Sequence, residues 1–255
     1  MGTALITGAS AGLGAEFAWQ LAAEHTDVVL VARNAARLEE LAGKIRNTLG
    51  TSAEALPADL ANPVDLARVA ERLRSESSPI GLLVNNAGFG LGQDFVGGDL
   101  ERELNALDVM VRAPLVLSHA AAGAMAARGA GAIINVSSLT SLTAQGTYSA
   151  HKAWLRTFSE GLAAELGPRG VHVTAVTPGL IRTEFHERSH VDASQWPGFV
   201  FAEPETVVAA ALDAARAGRV ITTPTPLYKV ASAALRAMPR ALVRRVAGPS
   251  LSGRN

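Results

Sequence analysis

"ALITGASAGLGAEF", residues 4–17, decides how this chain folds. An apolar run, "ALITG" (4–8), passes through a turn holding Gly8, Gly12 and Gly14 into a helical pattern near 12–25. Bare N–H groups at a helix start form a site for a pyrophosphate. The spacing is GxxxGxG, where the common dinucleotide fingerprint is GxGxxG. A glycine trio alone equally marks a plain tight turn. Its place after a first strand and before a first helix favours the binding reading.

Working outward, short apolar runs alternate with longer helical patterns. "VVLVA" (28–32), "IGLLVN" (80–85), "AIINV" (132–136), "VHVTAV" (171–176) and "RVITT" (219–223) read as strands buried on both faces, with a weaker one near 53–59. Helices are expected near 35–49, 63–76, 99–128, 148–166 and 204–217. This alternation predicts an α/β fold: a single Rossmann-type, doubly wound parallel sheet of about seven strands with helices on both faces. No repeat or linker divides residues 1–255, so one domain is expected. Residues 180–203 read as an insert after the sixth strand, and 226–255 as an arginine-dotted tail. Long irregular segments of this kind are usually functional.

Composition sets limits. The formal net charge is zero, which argues against nucleic acid as a main partner. With no cysteine there is no disulfide framework and no thiolate metal site. The six histidines show no metal-ligand spacing, so no metal is expected. "MGTALITGAS" lacks the basic region and longer apolar run of a signal peptide, and no uninterrupted apolar stretch reaches about 18 residues. The expectation is a cytoplasmic protein without a transmembrane segment.

Three further motifs follow the glycine turn: "NNAG" (85–88), "YSAHK" (148–152) and "PGLIRT" (178–183). With "TGASAGLG" (7–14), this ordered set resembles the short-chain dehydrogenase/reductase family, in its TGxxxGxG branch. The resemblance spans residues 7–183 and implies an oxidoreductase. It implies that Thr7, Gly8, Ser10, Gly12, Leu13 and Gly14 cradle a nicotinamide dinucleotide, that Asp59 and Leu60 flank its adenine, and that Asn86, Ala87 and Gly88 lie along it. Pro178, Gly179 and Thr183 would meet its nicotinamide end. Asp59 equally suits the cap region of the helix after Pro63.

The second strand ends "LVARN" (30–34), with Ala32 where an NAD-preferring fold usually places an acid. Arg33 could pair with a 2′-phosphate, so NADP(H) is expected over NAD(H), with Ser10 and Asn34 assisting. Arg33 could also be an ordinary surface arginine at a strand end.

On a helix, Tyr148 and Lys152 share a face. A nearby cation favours phenolate, so Lys152 together with the positive ring of an oxidised nicotinamide is expected to lower the Tyr148 pKa and make it a general acid/base. The resemblance implies that both also touch the cofactor, and that Ser138 holds the substrate oxygen. Ser137 is the alternative if the register slips by one. The Ser138–Tyr148 interval is short for the family, which alters the substrate mouth. Met110 falls where the family usually carries an asparagine of its proton relay, and a thioether cannot hold such a water through its side chain.

The expected activity interconverts a carbonyl and a secondary alcohol on an apolar small molecule. The alternative is a catalytically impaired NADP(H)-binding regulatory or scaffold protein. His186, His190, Phe185, Trp196, Phe199 and Phe201 either line the pocket or anchor the insert. The tail either lies on a membrane surface or, as the favoured reading, covers the pocket or packs against a second subunit. By resemblance, helices 99–128 and 148–166 form a homodimer or homotetramer interface.

Overall fold

The computed structural model describes residues 2–182 and 197–248. Seven parallel strands, β1 (Thr3–Thr7), β2 (Val28–Ala32), β3 (Ala53–Pro57), β4 (Ile80–Asn85), β5 (Gly131–Val136), β6 (Val171–Val176) and β7 (Ile221–Thr222), form one sheet in the order β3-β2-β1-β4-β5-β6-β7. The helices are α1 (Gly12–Ala23), α2 (Ala35–Leu49), α3 (Pro63–Arg74), α4 (Leu100–Leu107), α5 (Ala113–Arg128), α6 (Thr147–Leu166), α7 (Pro204–Arg216), α8 (Pro226–Ala237) and α9 (Arg240–Val246).

The two-residue period of the strands sorts their side chains into two cores. Ala4, Ile6, Leu30 and Val84 pack with Phe17 and Leu21 of α1, Leu38 and Ile45 of α2, and Val208 and Leu212 of α7. Leu5, Val29, Val31 and Leu83 face the other way, onto Leu66 and Leu73 of α3, Leu117 and Met125 of α5, and Leu166 of α6. Strand order reverses between β1 and β4, which opens a crevice at their carboxyl ends. The glycine turn, the residues after β4 and the residues after β5 all lie at that edge.

Several boundaries differ from expectation. The third strand stops at Pro57, and the last is only Ile221–Thr222, although the Arg219 and Val220 carbonyls still accept bonds from β6. The helix expected over 99–128 contains a π turn at Asp108–Arg112. Pro114 accounts for it. Its nitrogen cannot donate to the Met110 carbonyl four residues back, and its ring crowds that carbonyl. The chain widens the turn instead, and Ala113 N–H reaches back to Asp108 O. Leu100–Arg128 is long and apolar enough to cross a membrane by composition, yet Leu117, Ala121 and Met125 bury one of its faces against the sheet.

Candidate active site

The glycine turn is shaped by close approach. Gly8 has φ +67°, a region that strongly favours glycine, and a Cβ there would meet Asn86 Nδ2 at 2.9 Å and the Ala87 Cα at 3.0 Å. A Cβ at Gly14 would overlap the Gly8 carbonyl oxygen. Asn86 fills the space that the missing side chains leave, donating from Nδ2 to Thr7 O at 2.9 Å. Thr7 Oγ1 donates to Val84 O and accepts from the Asn86 and Ala87 N–H groups, locking β1 to the end of β4. Ser10 is half-buried beside the turn, and Leu13 packs back onto the α1 core. Thr7, Asn86 and Ala87 thus build the cradle wall, and the bare start of α1 fits a dinucleotide pyrophosphate.

At the end of β2, Arg33 is exposed and has no acidic partner among the described residues. Asn34 Oδ1 caps α2 by accepting from Arg37 N–H at 3.0 Å, which commits that oxygen to the helix. The cap brings Arg37, a second cation that the sequence reading passed over, into the same helix start. Asp59 accepts from Ala61 N–H in a short turn, while Asn62, not Asp59, caps α3. The Leu60 side chain is buried in the core, leaving its backbone at the crevice edge.

Ser138, Tyr148 and Lys152 come together past the end of β5. The Ser138 side chain stands close enough to the Tyr148 hydroxyl to favour its phenolate, and Ser138 Oγ accepts from Thr140 N–H at 3.1 Å. Lys152 Nζ lies 5.7 Å from the Tyr148 ring centroid and donates to Val136 O at 2.8 Å. Ser137 Oγ is buried and donates to the Lys152 carbonyl at 2.7 Å, and Ser138 is the serine whose side chain acts on the Tyr148 hydroxyl. A buried ladder that the sequence reading missed holds this edge together. Asn85 Nδ2 donates to Ser118 Oγ and to Asn135 Oδ1, and Asn135 Nδ2 donates to Ser159 Oγ. It ties β4, β5, α5 and α6 into one rigid floor.

The protein's own groups set the electrostatics of this pair mainly through burial. Tyr148 keeps some exposed ring, but its hydroxyl sits deep enough that burial pushes the phenol well above its ordinary pKa, offset only in part by Ser138. Burial also pushes Lys152 down to about 8. The pair shares a face as expected, but the protein alone does not acidify the phenol. His151, the neighbour of Lys152, is held low first by burial, with Glu103 opposing, and its Nδ1 lacks a hydrogen-bond partner among the described residues.

Met110 is buried in the π turn. A Cβ on Gly88 would lie 3.3 Å from Lys152 Nζ and 3.4 Å from Met110 Sδ, so the ammonium and the thioether both border Gly88. Pro178 O accepts from Leu139 N–H at 2.8 Å, tying the loop after β6 to the loop after Ser138. Gly179 lies directly beneath the ring of Tyr228 from α8, and no Cβ fits there. Tyr228 Oη donates to Val200 O at 2.9 Å. Arg240, the first residue of α9, donates to the carbonyls of Leu142 and Thr143, and Ala144 N–H donates to Ala247 O. The tail therefore packs on the body and braces the shortened Ser138–Tyr148 loop. Thr183, Phe185, His186, His190 and Trp196 lie outside the described residues. Of the insert's remaining aromatics, Phe201 packs under the Arg182 guanidinium and Phe199 is exposed.

The family described as short chain dehydrogenase matches residues 2–193. An uncharacterized oxidoreductase from Staphylococcus saprophyticus is 33% identical over 183 residues, which is 71% of this chain and 78% of that protein. Among solved structures, a short-chain dehydrogenase from Sphingobium yanoikuyae in complex with NADPH is 35% identical with a TM-score of 0.84, over 94% of this chain and 97% of that one. A bulky-bulky ketone specific alcohol dehydrogenase from Comamonas testosteroni is 31% identical with a TM-score of 0.80, over 96% and 98%. With its glycine cradle and its Ser–Tyr–Lys cluster set at the crevice of a parallel sheet, the chain belongs to the short-chain dehydrogenase/reductase family of nicotinamide-binding oxidoreductases.

Proposed function

We propose that the protein is an NADP(H)-dependent oxidoreductase that interconverts an apolar ketone and its secondary alcohol. The observation that carries this is the hydroxyl pair of Ser138 and Tyr148 with Lys152 beneath the tyrosine ring. Two hydroxyls converging on one point suit a carbonyl or alcohol oxygen. Ser138 holds that oxygen, and Tyr148 gives or takes its proton. Lys152, anchored at Val136, orients the tyrosine and faces the nicotinamide ribose. When bound, the nicotinamide supplies or accepts the hydride. The start of α1 with Gly8, Gly12 and Gly14 holds the pyrophosphate, and Arg33 pairs with the 2′-phosphate. Asp59 and the Leu60 backbone border the adenine, and Gly88, Pro178 and Gly179 border the nicotinamide end. The NADPH bound by the Sphingobium protein and the ketones of the Comamonas enzyme support both halves of this reading.

Tyr148→Phe tests it. With NADPH and a panel of bulky apolar ketones, turnover should fall by about 100-fold or more, while NADPH affinity, read by nucleotide fluorescence, stays within a few-fold. Arg33→Ala should weaken NADPH by roughly 10-fold or more and leave NADH unchanged. Wild-type protein that binds NADPH yet reduces no ketone and oxidises no alcohol would point to the second reading, a catalytically impaired binding protein. Met110, buried and bordering Gly88 as Lys152 does, is the observation favouring that alternative.

The protein is further proposed to be cytoplasmic and to assemble as a homodimer or homotetramer. Leu100, Leu104 and Leu107 form an exposed row at helical spacing, and Leu115 continues the apolar surface on α5. Sedimentation of wild type against Leu104→Lys checks the assembly.

A further inference from the structure

Charge in this chain is segregated. After Asp213 there is no aspartate or glutamate and there are eight lysines and arginines, although the net charge is zero. The first 213 residues therefore carry the balancing acidic excess. The basic portion is fixed to the body by one side only. Tyr228 lies on Gly179, Ser232 and Val243 are buried, and Arg240 is bonded to the loop after Ser138.

The other side of α8 and α9 faces outward and is apolar as well as basic. Leu227, Val230, Ala234 and Ala237 follow i, i+3, i+7, i+10 spacing, so they form one stripe, and all four are exposed. Lys229 and Arg236 lie about a third of a turn around from it, along a groove that Asp213 of α7 also lines. On α9, Leu242 and Val246 are exposed one turn apart, with Arg245 between them in the same outward row. Val230 is 71% exposed and Phe199, next to the Val200 carbonyl that Tyr228 grips, is 78% exposed. Lys229, Arg236, Arg244 and Arg245 have no acidic partner among the described residues.

We propose that this outer face of α8 and α9 docks the protein on a lipid bilayer bearing anionic headgroups. Exposed leucine and valine flanked by arginine suit insertion at the headgroup boundary. The acidic body is repelled by the same surface, so the protein sits tail-down. A second copy fits the pattern less well. A basic tail on the acidic body of a neighbour is a heterologous contact, and it leaves the same two surfaces open at each end of a growing chain. Docking would also set the mouth of the crevice, at Gly179 and Val200, against the bilayer, where apolar ketones dissolve.

The test is co-sedimentation of the full chain with vesicles of phosphatidylcholine alone or with 30% phosphatidylserine (roughly the charge density to which a polybasic surface responds). Binding should require the anionic lipid and fall about 10-fold or more on raising salt from low to high ionic strength. Arg244→Glu with Arg245→Glu should abolish it. Leu227→Ser with Val230→Ser should weaken it while the circular dichroism and the turnover of a water-soluble ketone stay unchanged. Three outcomes overturn the proposal: no binding, equal binding to phosphatidylcholine alone, or a mass that grows with concentration in the absence of vesicles and is reversed by the same arginine variants. The last would assign the face to a second copy.

Discussion

Replacing Lys152 by methionine should make the cofactor-free protein more stable at neutral pH and remove part of its pH dependence. The lysine is buried near Gly88 and Tyr148, and among the described residues it has no acidic partner, its Nζ donating to the Val136 carbonyl. Burial lowers its pKa from 10.5 to about 8. The folded state thus binds fewer protons than the unfolded chain between those values, and stability rises with pH through that window. The penalty of burying the charge is fully present below the folded pKa and is relieved as pH climbs toward the unfolded value. A shift of that size corresponds to about 3 kcal/mol, of which about 2 kcal/mol is recovered by pH 10. The two tyrosines set the upper limit. Both are raised by burial, so above pH 10 the unfolded chain loses its phenol protons first and stability falls again. No cysteine thiol titrates in between. Urea unfolding of wild type and Lys152→Met at pH 7.5 and pH 10 isolates the lysine, because every other group cancels in the difference. Wild type should gain roughly 2 kcal/mol on the variant across this interval. Parallel stability curves for the two proteins would show that the ammonium is solvated, and the desolvation argument would be wrong.

Gly179→Ala forces a methyl group into the Tyr228 ring and should destabilise the protein by about 1–3 kcal/mol. Adding Tyr228→Ala should restore much of that loss, and a double-mutant cycle showing no coupling would contradict the packing. Arg240→Met removes two bonds to the loop joining Ser138 to Tyr148. Turnover should drop by up to roughly 100-fold through misplacement of Ser138, with NADPH affinity unchanged and with partial rescue in Arg240→Lys. A pure stability loss with normal turnover below the melting temperature would remove the tail from catalysis.

The sheet was legible because its strands are short, apolar and separated by turn residues, and the glycine spacing marks the crevice. The meeting of Tyr148 and Lys152 was legible for the same local reason, helical periodicity. What the sequence hid is non-local. Asn85, Ser118, Asn135 and Ser159 look like ordinary polar residues in four separate elements, and only the packed sheet turns them into a ladder. Gly179 and Tyr228 are 49 positions apart and Leu142 and Arg240 are 98 apart. The π turn did leave a trace, since Pro114 stands four residues after Met110. The sign of the phenol shift was not readable at all. Periodicity shows that the ammonium is near the hydroxyl, but not that both are sunk below the solvent.

That sign has a consequence for the direction of catalysis. A phenol that holds its proton is ready to give it to an alkoxide, which is a far stronger base, so ketone reduction finds Tyr148 already in its working form. Alcohol oxidation needs the opposite, a Tyr148 that has lost its proton, and burial makes that state scarce at neutral pH. Below the pKa of such a base, its active fraction grows about tenfold per pH unit. Turnover in oxidation should therefore climb steeply from pH 6 to pH 8 under saturating substrates, whereas reduction stays level over the same range. Lys152 should bend both profiles near its own lowered pKa of about 8, because above it the ammonium beneath the ring is lost. A flat oxidation profile between pH 6 and pH 8, with chemistry shown to limit the rate by a deuterium effect on the transferred hydrogen, would mean that the hydroxyl is acidified in the working complex after all. The positive charge brought by the oxidised nicotinamide, rather than Lys152, would then have to overcome the burial that dominates here.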